Sequence, residues 1–258
     1  MALHWHCHEL FHRMPPGAVA GGIAVVIDVL RASTTIATAL AHGAAAVRPV
    51  PTIAEARRLA AAAGGSALLG GERGGLRIAG FDLGNSPREY TRDRVAGRAI
   101  VITTTNGTAA LAACREAREV VVGALVNRAA VAAAVRRLAA ASGSDAVHLV
   151  CAGTDGDVTA EDVLAAGGVL AAGAGPDDRL DAAATAARDS FRRLAGGGDP
   201  AAALGRALRG SRGGANLVAL GMEADLGACA ALDTLRVVPR LDPATGRLTE
   251  MVPATESR

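Results

Sequence analysis

Short apolar, β-branched runs alternate with alanine-rich stretches of helical length along most of this chain. That alternation restricts it to an α/β fold on a largely parallel or mixed sheet. The pattern predicts strands over Ile23–Ile27, Ala46–Pro49, Ala67–Leu69, Ala99–Thr103, Glu119–Gly123, Ala146–Cys151 and Thr234–Val238. Helices are predicted over Thr34–Ala41, Thr52–Ala63, Gly107–Cys114, Arg128–Ala141, Ala160–Ala172, Asp181–Leu194, Ala201–Leu208 and Ser211–Leu220. Gly70–Asp93 departs from the alternation, being long, glycine-rich and charged, although Leu76, Ile78, Phe81 and Leu83 argue that it is ordered. Gly173–Asp181 reads as a plain surface connection, and the tail after Leu241 as a loosely held end. With 258 residues and no visible linker, one domain over 1–258 is expected, with 1–20 and 242–258 as peripheral segments.

The strand exits carry the polar chemistry. Ile23–Ile27 delivers Asp28 at its carboxyl end, the position where open α/β sheets bind ligands, and Arg31, Ser33 and Thr34 follow. Asp28 suits a divalent cation, and the Arg31 guanidinium offers a rigid fork of donors for phosphate or sulfonate oxygens. Ser33 and Thr34 are expected to cap a helix whose free N–H groups would favour an anion. In Gly70-Gly-Glu72-Arg73-Gly-Gly, glycines flank a carboxylate suited to metal or general-base work and a guanidinium suited to an anion. Asp82, Asn85 and Ser86 form a further polar group, although Asn85-Ser86-Pro87 is also a turn signal. The run Thr103-Thr104-Thr105-Asn106-Gly107-Thr108 reads as a neutral oxyanion cradle at a strand-to-helix turn. Cys151 ends a strand before Gly153, and Glu161 and Asp162 open the next helix, where acids favour the helix dipole whatever else they do. As a thiolate Cys151 would be a nucleophile; as a small buried thiol it would be inert.

Composition removes several alternatives. The chain has no lysine, so all 27 basic residues are arginine, which excludes a Schiff base, a lysine base and a Walker-type lysine. A net charge of +2 and few aromatics argue against nucleic acid as a partner. No uninterrupted apolar stretch is long enough to span a bilayer, and the start does not look like a signal peptide, so a cytoplasmic protein with no membrane partner is expected. Cys7, Cys114, Cys151 and Cys229 are too widely spaced to suggest a metal pair. His4, His6 and His8 alternate on one predicted strand face with His12 nearby, a tract able to bind zinc or nickel but with no evident acidic or cysteine partner. His42 and His148 remain as proton donors whose neighbours also explain them structurally.

Taken together, Val-Ile-Asp28-Val-Leu-Arg31-Ala-Ser-Thr-Thr, Gly-Glu72-Arg73-Gly-Gly, Gly-Phe-Asp82-Leu-Gly-Asn85-Ser86-Pro, Thr-Thr-Thr-Asn106-Gly-Thr and Cys151-Ala-Gly-Thr…Glu161-Asp162 resemble the 2-phosphosulfolactate phosphatase family. The resemblance covers about Ile23 to Gly168, and Ser211…Gly221…Asp225…Cys229…Asp233…Val238-Pro239 extends it toward the end. It implies a three-layer α/β/α phosphatase. The implied reaction is magnesium-dependent hydrolysis of 2-phospho-3-sulfolactate, or a related small phosphorylated acid, to 3-sulfolactate and phosphate. In methanogens that reaction is a step of coenzyme M biosynthesis. From the residues themselves, Asp28 with Glu161 or Asp162, and Glu72 as a further candidate, is expected to bind Mg2+, and Asp28, Glu72 and Cys151 are the catalytic candidates. The substrate is expected on Arg31, Ser33, Thr34, Arg73, Asn85, Ser86, Thr105, Asn106, Gly107, Thr108 and Gly153. The histidine-rich start departs from the usual family beginning.

A haloacid-dehalogenase scheme needs a second aspartate two residues after the first, where this chain has Leu30, and a lysine it lacks; attack by water is therefore favoured over phosphorylation of Asp28. The reading from another class is a non-catalytic protein that captures a small phosphorylated acid, for which converging carboxylates would serve no purpose without a metal. A homodimer is the default expectation for the assembly.

Overall fold

The computed structural model describes residues 1–251 and shows a mixed sheet of eleven strands. The strands are β1 (His4–His8), β2 (Ile23–Ile27), β3 (Ala46–Pro49), β4 (Leu68–Arg73), β5 (Leu76–Arg77), β6 (Ala99–Thr103), β7 (Glu119–Gly123), β8 (Ala146–Cys151), β9 (Arg179–Leu180), β10 (Pro239–Asp242) and β11 (Arg247–Glu250). The helices are α1 (Ala32–Ala41), α2 (Ile53–Ala62), α3 (Arg92–Val95), α4 (Gly107–Ala113), α5 (Arg128–Ser142), α6 (Ala160–Gly173), α7 (Ala182–Ala195), α8 (Pro200–Gly210), α9 (Arg212–Ala219) and α10 (Ala224–Ala230). The spatial order is β5-β4-β6-β3-β11-β10-β7-β2-β8-β1-β9. All five residues of β2 are buried, so both faces of the sheet are covered there, as an apolar strand without alternation requires.

Two parallel blocks make up the sheet. In one, β3 and β4 flank β6; in the other, β7 and β8 flank β2, and β1 runs between β8 and β9. The antiparallel hairpin β10–β11 bridges them through the pairings Arg240–Val121 and Leu248–Val47. Both ends of the chain therefore contribute to the sheet, contrary to the expectation of peripheral segments. Trp5 of β1 is fully buried and donates to Asp178, while Leu248 of β11 is buried in the centre. Residues 252–258, included in the segment expected to be peripheral, lie outside the described residues.

Three further expectations change. Thr234–Val238 is core but not strand: Val237 and Val238 are buried, Leu235 N–H donates to Val126, and regular pairing begins only at Pro239. In the Gly70–Asp93 stretch, β4 continues through the glycines to Arg73 and turns into the short hairpin with β5. Gly71, at φ 139°, permits this, because a Cβ there would stand 2.0 Å from the Thr103 carbonyl oxygen of β6. Ile78, Phe81 and Leu83 are buried as expected, but Leu76 is 52% exposed. Finally, Gly173–Asp181 supplies the edge strand β9 and Asp181, which caps α7 through the Ala184 N–H.

α6, which carries Glu161 and Asp162 in its first turn, crosses α7 closely enough that a Cβ at Gly167 would lie 2.1 Å from the Ala187 carbonyl oxygen. That packing fixes the start of α6 against the β2 and β8 exits.

Candidate active site

The carboxyl ends of β2, β4, β6 and β8 deliver most of the singled-out residues to one region, closed by α9. A cavity of about 350 Å³ lies there, lined among others by Asp28, Arg31, Glu72, Asn85, Thr105 and Asn106. α9 contributes Gly213 and Asn216, and the β8–α6 turn contributes Thr154 and Asp155. Arg212 of α9 pairs with Asp155 and Asp157 of that turn, fastening the rim.

One side of the cavity is acidic. Asp28 is only 8% exposed; Oδ1 accepts the Ala32 N–H at 3.2 Å, and Oδ2 lies against Gly107, where a Cβ would come within 2.6 Å of it. Burial pushes the Asp28 carboxyl up to about 7; the Ala32 N–H opposes this, the facing Glu72 and Glu161 charges add to it, and Arg31 offsets part. Burial likewise raises Asp162, reinforced by Asp28 and Glu161 and opposed by the Val29 and Gly153 N–H groups that its two oxygens accept at 2.8 and 2.9 Å. Asp162 therefore serves chiefly to fix the β2 and β8 exits. Glu161 differs: Oε1 accepts the Gly213 N–H at 3.0 Å, whereas Oε2 is buried with no partner. An unpartnered buried carboxylate oxygen is costly unless something positive reaches it.

Glu72 lines the cavity, but its oxygens already accept from the Thr105 N–H, the Thr105 hydroxyl and the Gly75 N–H. It is a brace between the β4–β5 turn and the β6 exit, which leaves it poorly placed as the general base expected from sequence.

The cavity wall also carries donors. Arg31 is 2% exposed; Nη1 donates to Asp225 Oδ2 at 2.7 Å and to Met222 Sδ at 3.0 Å, and Nη2 donates to the Gly75 carbonyl at 2.7 Å. Asn85 is buried with Oδ1 unpartnered. Asp225 and Met222 were not picked out by sequence chemistry, and Asp225 enters only through the closing family pattern. No local signal marks the pair, because Arg31 and Asp225 are 194 residues apart.

The other expected residues shape the walls. Ser33 lies inside α1 rather than capping it, its hydroxyl accepting the Asp28 N–H at 2.9 Å. The Thr34 hydroxyl donates to the Val29 carbonyl. Thr108 is engaged reciprocally with Thr104, which leaves Thr105 and Asn106 as the cradle residues that line the cavity. Arg73 turns away to the Pro51 carbonyl and Thr103, so the second guanidinium clamp is not formed. Ser86 donates to Asp225 Oδ1 at 2.6 Å, and Gly153, at φ 67°, shapes the β8 exit.

Cys151 does not fit the nucleophile expectation. It is fully buried, does not line the cavity, and its hydrogen bond with Cys7, together with burial, raises the thiol well above the ordinary cysteine range. All four cysteines are free and buried. We expect Cys151→Ala to leave any catalytic kcat/KM within about twofold of wild type, since the thiol acts only as a small apolar filler. A loss of ~100-fold in steady-state assays would restore the thiolate to the mechanism.

His6 and His8 on β1 stack against His148 on β8, with His8 Nε2 3.1 Å from His148 Nδ1. Burial first, then the neighbouring histidines, lowers His148 to about 4. Among the described residues no three His, Cys, Asp or Glu side chains already stand in a metal-holding arrangement, here or at the cavity. Magnesium does not require one, because it keeps several waters and is held by one or two carboxylates plus substrate oxygens. Of the expected ligands, Asp28 and Glu161 fit that role: Asp28 lines the cavity, and Glu161, not itself a lining residue, is bonded to the lining Gly213 and leaves Oε2 without a partner.

No helix among the described residues is long and apolar enough to cross a membrane. The family model described as 2-phosphosulpholactate phosphatase matches residues 10–243. A Deinococcus radiodurans protein named probable 2-phosphosulfolactate phosphatase is 49% identical over 226 residues, covering 86% of this chain and 88% of that protein. Proteins of the same name from Symbiobacterium thermophilum and a Synechococcus strain are 43% identical over 87% and 41% identical over 92% of this chain, covering 93% and 94% of their own lengths.

Proposed function

We propose a reaction from one premise: this chain belongs to the 2-phosphosulfolactate phosphatase family and is a phosphoric monoester hydrolase. The reaction is magnesium-dependent hydrolysis of 2-phospho-3-sulfolactate, or a closely related small phosphorylated acid, to 3-sulfolactate and phosphate. One observation carries the metal requirement. The cavity wall presents Asp28 and Glu72 against one lining guanidinium, already paired with buried Asp225, while the rim carboxylate Asp155 is paired with Arg212. An anionic phosphoester entering this field would be repelled unless a cation accompanied it.

Asp28 and Glu161 would hold the cation. When bound, Mg2+ supplies Lewis-acid stabilisation of the phosphoryl oxygens and a site for the attacking water. Asp28 must then stay ionised, and the Ala32 N–H holds its carboxylate in place. Glu72 keeps the Gly74–Gly75 turn and Thr105 against each other, so the cavity walls do not reorganise on binding. Arg31, Asn85 and Asn106 are left to orient the substrate.

Phosphate release should be measured for 2-phosphosulfolactate and a panel of other small phosphoesters, with Mg2+ and with chelator. Mg2+-dependent release, fastest with the sulfonated acid, is expected. If no phosphoester is turned over in a metal-dependent way, the proposed reaction is wrong.

A further inference from the structure

We infer that Asp225 is a positioning residue for substrate recognition, holding Arg31 and the Asn85–Ser86 segment so that they receive the non-reacting anionic group, a sulfonate or carboxylate. This rests on the reading that the cavity takes a small phosphorylated acid. Asp225 is 3% exposed and does not line the cavity. Its oxygens are divided: Oδ2 accepts Arg31 Nη1 at 2.7 Å, and Oδ1 accepts the Ser86 hydroxyl at 2.6 Å.

The consequences for Arg31 follow from counting donors. A guanidinium carries five N–H bonds in a fixed plane. Three point at Asp225, Met222 and the Gly75 carbonyl. Nε and the second Nη2 proton have no acceptor among the described residues, and Arg31 lines the cavity. Because the plane is pinned from three elements, those two donors are fixed in direction before any ligand arrives.

Asn85 adds the second contact. Its backbone carbonyl accepts the Thr35 hydroxyl at 2.8 Å, which ties the segment to α1, while its side-chain oxygen is buried, unpartnered and part of the cavity wall. Amide oxygen and nitrogen exchange by rotation about one bond, so the same side chain can present N–H groups to an anion. The phosphoryl group belongs at the carboxylates, where a cation is required. The two sets of groups therefore divide one small substrate by chemistry: metal-assisted phosphoryl transfer at one, fixed neutral and guanidinium donors at the other.

Asp225→Asn retains the shape but removes the charge that holds Arg31 Nη1, so the guanidinium loses its fixed direction. We would compare it with wild type on 2-phosphosulfolactate and on propyl phosphate, which has no second acid group, and measure calorimetric binding of 3-sulfolactate and of inorganic phosphate, all with Mg2+. For 2-phosphosulfolactate, KM should rise about tenfold or more with kcat within about threefold, the pattern of lost binding rather than lost chemistry. Propyl phosphate kinetics and phosphate binding should not move, 3-sulfolactate binding should weaken in step with KM, and Asp225→Glu should recover part of the loss. Ser86→Ala, which keeps the Arg31 pair, should raise KM about twofold to fivefold and carries the test if Asp225→Asn does not fold. Equal losses on both phosphoesters, or unchanged 3-sulfolactate affinity, would reduce Asp225 to a structural ion pair and overturn the inference. Wild-type protein that hydrolyses propyl phosphate but binds no 3-sulfolactate also overturns it while leaving phosphatase activity intact. Binding of 3-sulfolactate that weakens in Asp225→Asn without any turnover would instead sink the hydrolysis and keep the recognition.

Discussion

Asp28→Asn is expected to fold and to lose phosphatase activity, with kcat/KM falling on the order of 10³-fold, ~4 kcal/mol of transition-state stabilisation. The substitution keeps the volume and an oxygen for the Ala32 N–H, so the β2–α1 turn should survive. What disappears is the carboxylate charge of a cavity-lining residue, one oxygen of which lies against Gly107. An amide holds a hard divalent cation less well than a carboxylate, and added Mg2+ should therefore restore little. The decisive measurement is single-turnover phosphate release over a Mg2+ titration, with circular dichroism to confirm the fold. A variant retaining more than ~10% of wild-type kcat/KM at saturating Mg2+ would move Asp28 out of the mechanism.

Asp28 was legible from sequence because its signal is local: five apolar residues and then a carboxylate can only be a buried strand and its exit. The same locality places Glu72, Thr105 and Asn106 at the cavity, each at the end of a recognisable strand, although Glu72 stands there as a brace and not as a free base. Locality also explains the failures. Arg31 and Arg73 look alike in sequence, as guanidiniums beside strand exits; only the fold shows Arg31 held by Asp225 in the cavity wall and Arg73 turned to Pro51 and Thr103. The hydroxyls of Ser33, Thr34 and Thr108 are the right groups for an anion, but each satisfies a backbone group of its own turn. The alternating pattern predicts a parallel or mixed sheet, as found, but the segment after Leu241 looks like a loose tail in sequence and forms β11 instead. Its place between β3 and β10 depends on pairing with Val47, some two hundred residues earlier, which no local period encodes.

The metal-free protein should become less stable relative to Asp28→Asn as pH rises from about 4 to about 7. The sign follows from where the proton sits. Unfolded, the Asp28 carboxyl titrates near 3.8; folded, burial raises it to about 7. Between those values the folded protein binds a proton that the unfolded chain has released, so stability falls with increasing pH across that window. The full contribution is present below 3.8 and is lost as pH passes through the folded value near 7. Its ceiling is on the order of 4 kcal/mol, and the neighbouring Glu161 and Asp162 share the charge and reduce it. Asparagine has no proton to lose, so the difference between the two denaturation curves reads Asp28 together with the Asp162 titration coupled to it. Mg2+ should act with the opposite sign. At pH 8 it finds Asp28 ionised, binds the folded state alone and raises the wild-type melting temperature by mass action, while leaving Asp28→Asn nearly unchanged. Parallel pH curves for the two proteins, or an equal Mg2+ shift in both, would mean that the cation is held elsewhere and that the buried charge at Asp28 is balanced without it.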